Sequence, residues 1–326
     1  MQLDIRSLLE RPDSYPYPVK NIEIRDTHIS WVFLVDDLAY KVKKEISLFD
    51  GILDFTTIQL RKKYCEKEVQ LNRVMCPDIY LGVIPITENG ISSMNETAPE
   101  KIVEWAVKMR RMPEEYLMSR LLQNNEEIPL RKISEIARTL VDFHSQCEAR
   151  PEFGSMEKVT RKIDENFETV LMHRPVDKAY IDRVHNFMSE NEELFHQRAE
   201  SGRVLRFHGD LQSNNIVLAP KKVYIFDCVE FTDLFAAGDV AEELGFLAMD
   251  LDFWERSDLA KHLIDEYVRF SNDKDMIKVL NFFKSYRAFV RAKVNIFTAL
   301  GTENEQIKAK ANEMVNQYLE LAYSYI

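Results

Sequence analysis

Apolar and polar positions change their period partway along the chain. Up to residue 105 the apolar residues alternate or fall in short runs, the signature of strands. NIEIRDTHISWVFLVDDLAYKVKK predicts two or three short strands, with Asp36-Asp37 as a turn. LRKKYCEKEVQLNRVM follows with helix period, and Thr56 and Gln59 ahead of it stand at capping-box spacing. YLGVIPITENG predicts a strand ending in an Asn89-Gly90 turn, and KIVEWAVKM a further apolar strand. After Met109 the helix period takes over, in segments 131–149, 156–172, 177–199, 257–271, 274–299 and 303–325. Only 203–227 departs from it, reading as strand, loop, strand, a turn at Ala219-Pro220-Lys221-Lys222, and strand. Neither an internal repeat nor a low-complexity linker interrupts the chain. The pattern predicts an α+β protein of two lobes sharing a cleft: a small, mostly-β lobe over 1–105 and a larger, mostly-α lobe over 106–326.

Composition narrows the function classes without naming one. The 326 residues are 45% hydrophobic and 30% charged, the balance of a globular chain. No apolar run approaches the ~18 residues a membrane span requires. The opening MQLDIRSLLERPD has an early acid and no basic n-region, so no secretory leader is expected. Cys65, Cys76, Cys147 and Cys228 are scattered and form no CxxC pair, which disfavours a zinc site and predicts reduced thiols in a cytoplasmic protein. The net charge of −11, with only short basic clusters, disfavours nucleic acid as a partner. It is compatible with a cationic small substrate and equally with an ordinary cytoplasmic surface.

The departure at 203–227 carries the candidate chemistry. FHGDLQSNNIVL packs a histidine, an aspartate and two asparagines between apolar flanks. Such residues favour ordinary turns for local backbone reasons. The spacing of His208, Asp210 and Asn215, however, is H-x-D-x-x-x-x-N. This matches the kinase catalytic loop, where the aspartate handles the acceptor hydroxyl and the asparagine binds magnesium. Asp227 ends the next apolar strand, VYIF. If 216–218 and 223–226 pair as a hairpin, Asn215 and Asp227 lie at one end of it. A carboxylate and an amide oxygen there suit Mg²⁺, which prefers oxygen ligands.

Phosphoryl transfer also needs an anchored cation on the nucleotide phosphates. In LAYKVKK, Ala39 and Lys41 share one strand face, opposite Leu38, Tyr40 and Val42, with Lys43 one step further out. Ala39 is small enough to stand beside adenine, and Lys41 is the candidate for the phosphates. On a helical wheel, Leu60, Tyr64, Leu71 and Met75 form an apolar stripe; Glu68 lies at its edge and Glu66 points away. An inward carboxylate requires a partner, so Glu68 is assigned to Lys41 and Glu66 to solvent.

HGDLQSNNIVL and YIFDCVEF resemble the aminoglycoside phosphotransferase-like branch of the protein-kinase-like fold. The resemblance extends through THISWVFLVDDLAYKVKK, CEKEVQLNR, PDIYLGVIPI and VEWAVKMRRMP, from about residue 20 to about residue 255. It is to a bacterial family often fused to a P-loop ATPase domain. It implies a two-lobed kinase-like fold with ATP and Mg²⁺ between the lobes. Asp210 would be catalytic, Asn215 and Asp227 the metal ligands, and Lys41 with Glu68 the phosphate-positioning pair. Glu104 to Val107, with Glu104 and Ala106 foremost, would be an inter-lobe hinge offering backbone groups to adenine. Asp239 resembles the buried aspartate that braces the catalytic loop, and His208 would pin that loop.

Three features depart from the family pattern. Residues 20–50 hold no glycine. Asp26-Thr27-His28-Ile29-Ser30 stands in place of a Gly-rich loop, leaving phosphate contacts to backbone amides and the Thr27 or Ser30 hydroxyls. Gln212 occupies a position where relatives often have histidine and protein kinases lysine. No GxxxxGK[ST] occurs, so a P-loop partner would act in trans. Glu230, Asp233, Glu242 and Glu243 either line an acidic substrate pocket or sit as solvated helix-surface acids. The resemblance implies a kinase acting on a hydroxyl of a small molecule, aminoglycoside-like or another hydroxylated metabolite. The alternative is a weak or inactive kinase-like ATP-binding module that regulates a partner. Protein phosphorylation ranks lower, because neither an activation loop nor an APE motif follows Asp227.

Overall fold

The computed structural model describes residues 3–48, 51–92 and 101–326. The chain divides into two compact units, Met1–Tyr116 with Tyr224–Phe235, and Leu117–Val223 with Ala236–Ile326. A boundary at 105 is therefore corrected: it falls inside the strand Ile102–Arg110. The segment after Val223 also returns to the first unit.

The first unit is built on an antiparallel sheet. Its strands are β1 (Ile22–Asp26), β2 (Ser30–Val35), β3 (Leu38–Lys43), β4 (Tyr80–Thr87), β5 (Gly90–Ile91) and β6 (Ile102–Arg110), in the order β1-β2-β3-β6-β4-β5. Asp36-Asp37 makes the β2–β3 turn, with Asp36 in the left-handed region (φ 50°) that aspartate tolerates. Alternation sorts the two faces: Phe33, Val35, Tyr40, Val42, Ile84, Ile86 and Ala106 pack into one core. The opposite side of β3 carries Ala39, Lys41 and Lys43.

The connecting helix α1 spans Ile58–Asn72. Its cap is Thr57, whose hydroxyl accepts from the Leu60 N–H at 3.2 Å; Thr56 instead bonds Asp54. The buried stripe is Arg61, Cys65, Glu68, Val69 and Asn72; of the predicted apolar positions only Met75, past the helix end, is buried, while Leu60, Tyr64 and Leu71 are half-buried. Glu68 does face inward and Glu66 outward, but three of the buried residues are polar. A wheel that scores only apolar residues therefore finds the stripe rotated from its true place.

The second unit is mostly helical. Helices α2 (Leu130–His144), α3 (Met156–Leu171), α4 (Lys178–Glu190) and α5 (Glu192–Glu200) precede the strand β7 (Val204–Arg206). The predicted helix 177–199 is thus two helices, broken at Asn191. After the polar loop come β8 (Ile216–Leu218) and β9 (Val223–Ile225), then β10 (Ala237–Asp239), which pairs antiparallel with β7. Helices α6 (Val240–Phe253), α7 (Ser257–Ser271), α8 (Met276–Leu300) and α9 (Glu305–Ser324) complete the unit.

Periodicity alone did not mark α6 as a helix, and its burial explains why. Every residue from Val240 to Leu251 is buried. A helix buried on all sides has no polar face to alternate with an apolar one. At Gly245 it meets α8 so closely that an added Cβ would stand 3.2 Å from the Lys284 backbone nitrogen. Among the described residues no helix is long and apolar enough to cross a membrane.

Candidate active site

Strand β3 presents two lysines to the same carboxylate. Lys41 Nζ lies 3.0 Å from Glu68 Oε1, and Lys43 Nζ lies 2.7 Å from Glu68 Oε2. Lys41 also reaches Asp227 Oδ1 at 2.5 Å, and Lys43 pairs with Glu230. Burial pushes the Glu68 carboxyl up, but the two ammonium charges outweigh it and hold the group below its ordinary range. For Glu230 burial wins over Lys43, and its carboxyl is raised. Burial lowers both lysines, and their carboxylate partners more than reverse the effect.

Further bonds fix the chain around Asp227. Asn72, one turn beyond Glu68, donates from Nδ2 to the Glu68 carbonyl (2.8 Å) and accepts the Cys228 N–H at Oδ1 (3.0 Å). The Tyr80 hydroxyl accepts the Asp227 N–H at 3.3 Å, and the Cys76 thiol donates to the Ile225 carbonyl at 3.1 Å. Asp227 itself sits at φ 67°, a left-handed conformation uncommon for non-glycine residues although aspartate is among those that reach it.

The residues expected at the nucleotide in this unit have internal partners. Glu104 to Val107 are not a hinge, since they lie within β6, where Ala106 and Val107 pair with β3 on one side and β4 on the other. The Glu104 carboxylate bonds Arg61 at 2.7 Å, and Ala106 packs in the hydrophobic core. The face of β6 shared with Lys41 and Ala39 is that of Val107 and Met109. Thr27 and Ser30 close their own turn: the Thr27 hydroxyl donates to the Ser30 carbonyl (2.9 Å) and accepts the Ser30 N–H (3.0 Å). Ser30 is buried. Both side chains serve the hairpin's shape.

In the second unit the loop after β7 is assembled from neutral donors and buried acids. Asn215 Nδ2 donates to Asp210 Oδ2 and to the Asp210 carbonyl, both at 2.8 Å. Gln212 Nε2 donates to Asp210 Oδ1 at 2.8 Å. Each carboxylate oxygen of Asp210 is thus oriented by a carboxamide. His208, fully buried, accepts the Asp210 N–H at Nδ1 (3.2 Å), and Gly209 supplies the left-handed φ of 88° the turn requires.

Two acids of α6 hold the loop backbone. Glu243 Oε1 accepts the Gly209 N–H at 3.0 Å while Oε2 meets His144 Nε2 at 2.6 Å. His144 Nδ1 in turn meets the Tyr267 hydroxyl at 2.8 Å. Asp250 Oδ2 accepts the Ser213 N–H at 2.7 Å. Asp239, expected to brace the loop, instead caps α6 through the Ala241 N–H (2.8 Å) and forms a two-pronged pair with Arg198 (2.6 and 2.7 Å). Burial pushes the Glu243 carboxyl up, yet its bond to His144 and the nearby imidazoles bring it below the ordinary range. Asp250 and Asp239 lie above theirs, because burial dominates.

Of the acids after Asp227 considered for an acidic pocket, Glu230, Glu242 and Glu243 have internal partners. Glu230 is committed to Lys43, and Glu243 to His144 and Gly209. Glu242 pairs with Lys162 and Arg287, each at 2.8 Å. All three glutamates are buried. Sequence reasoning missed Asn72, Tyr80 and Asp250. It also missed Arg291 of α8, whose charge faces Asp210 and Asp250. Their partners lie far off along the chain, so local spacing carries no signal for them.

Residues 68–276 match the family model described as the phosphotransferase enzyme family. The chain belongs to that family. The match runs from Glu68 through the catalytic-type loop to the start of α8. A curated relative, an uncharacterized protein of Mycobacterium tuberculosis, is 29% identical over 283 residues, 84% of this chain and 54% of the relative. The counterpart from Mycobacterium bovis gives the same figures, so the chain spans about half the length of the curated relatives it matches. Among solved structures, a choline kinase from Cryptosporidium parvum aligns at TM-score 0.54 with 14% identity, covering 92% of this chain and 88% of that one. A wild-type aminoglycoside 2'-phosphotransferase-IIIa, in its GDP complex, aligns at TM-score 0.51 and 13% identity, over 94% of each chain. The fold of this family member is therefore protein-kinase-like, with a β-rich first unit and a helical second.

Proposed function

We propose that the protein is an ATP-dependent phosphotransferase acting on a hydroxyl of a small molecule. The observation that carries this is the bonding of Asp210, whose two carboxylate oxygens are each aimed by a carboxamide, Gln212 on one and Asn215 on the other. An aspartate so held accepts a hydrogen bond from an acceptor hydroxyl and takes its proton as the oxygen attacks the γ-phosphorus. The bond from that phosphorus to the departing ADP oxygen breaks. Lys41, anchored by Glu68, is the cation for the nucleotide phosphates.

The donor set suits magnesium. Asn215 turns its nitrogen to Asp210, so the amide oxygen is the atom it presents elsewhere. In the first unit, Asp227 offers a carboxylate of the kind magnesium prefers, held at a left-handed φ. Bound Mg²⁺ would offset the negative charge of the phosphate oxygens. Glu230, Glu242 and Glu243 are committed to internal partners, which leaves less free acidic charge for a cationic acceptor. Neutral hydroxylated metabolites therefore belong in the assay beside aminoglycosides.

The test is Mg²⁺-dependent ATP binding by calorimetry, followed by ATP turnover against both panels for the natural chain and Asp210→Asn. The expected outcome is metal-dependent binding in both proteins, with turnover about 10²–10⁴-fold lower in the variant, the range for losing a positioned acid or base. ATP binding without stimulated turnover by any acceptor counts against the proposal.

A further inference from the structure

We infer that Lys43 and Glu230 form a positioning pair for Asp227, tying the segment that carries it to β3 independently of Lys41. The inference rests on the assignment of Asp227 to metal-nucleotide binding.

Lys43 is two residues beyond Lys41 on the same strand face, and Glu230 is three beyond Asp227. Both Lys43 and Glu230 are buried, and Lys43 bridges Glu230 and Glu68. The segment is thus held at separate points: Ile225 by Cys76, Asp227 by Tyr80, Cys228 by Asn72, and Glu230 by Lys43. Between the first and third of these ties lies the left-handed backbone of Asp227. Such a conformation persists only where its surroundings over-determine it.

The second consequence concerns charge. Lys41 bonds both Glu68 and Asp227. For Lys41 to serve phosphates, and for Asp227 to serve a metal, their mutual contact must loosen. Lys43 keeps Glu68 neutralised through Oε2 while that happens, and Glu230 keeps Lys43 in place. Neither Lys43 nor Glu230 need touch nucleotide or acceptor. Each acts through Asp227 and Lys41.

The experiment uses the full chain and the double variant Lys43→Met/Glu230→Gln, which removes one charge of each sign together. Binding of a non-hydrolysable ATP analogue is titrated by calorimetry at fixed nucleotide and varied Mg²⁺, with thermal melting measured in parallel without metal. The expected result is a Mg²⁺ half-saturation about 10–100-fold higher, the range for removing a group that orients a metal ligand. Metal-free nucleotide binding weakens by a smaller factor, since Lys41 then carries Glu68 alone. Glu230→Gln alone, which keeps Lys43 on Glu68, is expected to shift half-saturation in the same direction and serves if the double variant does not fold. An unchanged Mg²⁺ dependence in a folded variant overturns the inference. Asp227→Asn separates the two levels. If it abolishes metal-dependent binding while the pair variants do not alter it, the positioning role fails and the functional assignment stands. If Asp227→Asn leaves metal dependence intact, the assignment of Asp227 fails and takes the inference with it.

Discussion

Glu68 in the first unit and Asp210 in the second are both carboxylates at the centre of polar clusters, yet their neighbours differ in kind. Glu68 faces two ammonium groups, while Asp210 faces two carboxamides. A buried carboxylate between lysines is neutralised and fixed, which suits an anchor. A carboxylate whose oxygens are each aimed by a carboxamide is held in one orientation, which suits a group that must meet a partner arriving later. The clusters should therefore fail differently: the first through charge imbalance, the second through lost orientation.

The sharpest way to break the first cluster is Lys43→Met. It strands Glu230 and leaves Glu68 with Lys41 alone. Breaking a buried pair from one side typically destabilises by about 3–5 kcal/mol, and urea unfolding should show a loss of that size. A loss within the range of exposed pairs would mean that the lysine's charge is satisfied by water.

Glu243→Gln probes the second unit more gently. It keeps an acceptor for the Gly209 N–H but weakens the bond to His144. The expected cost is about 2 kcal/mol, within the range for hydrogen bonds to charged groups. The pH dependence carries a sign. The Glu243 carboxyl is held below its ordinary value of 4.5, so its stabilisation is complete above that value. It is lost as pH falls through the lowered folded value. The variant should therefore show a flatter acid limb in stability against pH than the natural chain. Asp250 acts in the opposite sense, since its carboxyl is raised and acidification relieves part of its burial cost. An acid limb unchanged by Glu243→Gln would remove Glu243 from the charged bracing of the loop.

The smallest effect is a control. Glu66 and Lys62 stand 3.7 Å apart with both side chains exposed. Glu66→Gln should change stability by no more than about 0.5 kcal/mol, because exposed i,i+4 pairs contribute little. A larger loss would undo the distinction between the buried and solvated acids of α1.

Much of this was legible in the chain. Strand alternation separated Lys41 from Tyr40 and Val42, and the helical wheel turned Glu68 inward and Glu66 outward. The spacing of Asp210 and Asn215 matched two residues that bond each other directly. What failed did so for stated reasons. The α1 stripe was misplaced because Arg61 and Asn72 are polar and buried. Helix α6 lacked a period because it has no solvated side. Glu104 and Ala106 were given to a hinge because a short apolar run does not reveal where a strand ends, and β6 continues to Arg110.

The sequence by itself determined the local matters: which residues alternate, which spacings put a carboxylate beside an amide, and which residue types can do phosphoryl-transfer chemistry. These follow from backbone geometry and side-chain chemistry within a few residues. Partnerships between distant positions belong to the tertiary structure. That Glu68 serves two lysines, that Glu230 answers Lys43, and that Glu243 and Asp250 hold the loop while Asp239 holds Arg198 depend on how strands and helices pack. The physical reason is that a buried charge must find an opposite charge or a donor wherever the fold brings one within reach. The linear order of residues does not contain that distance.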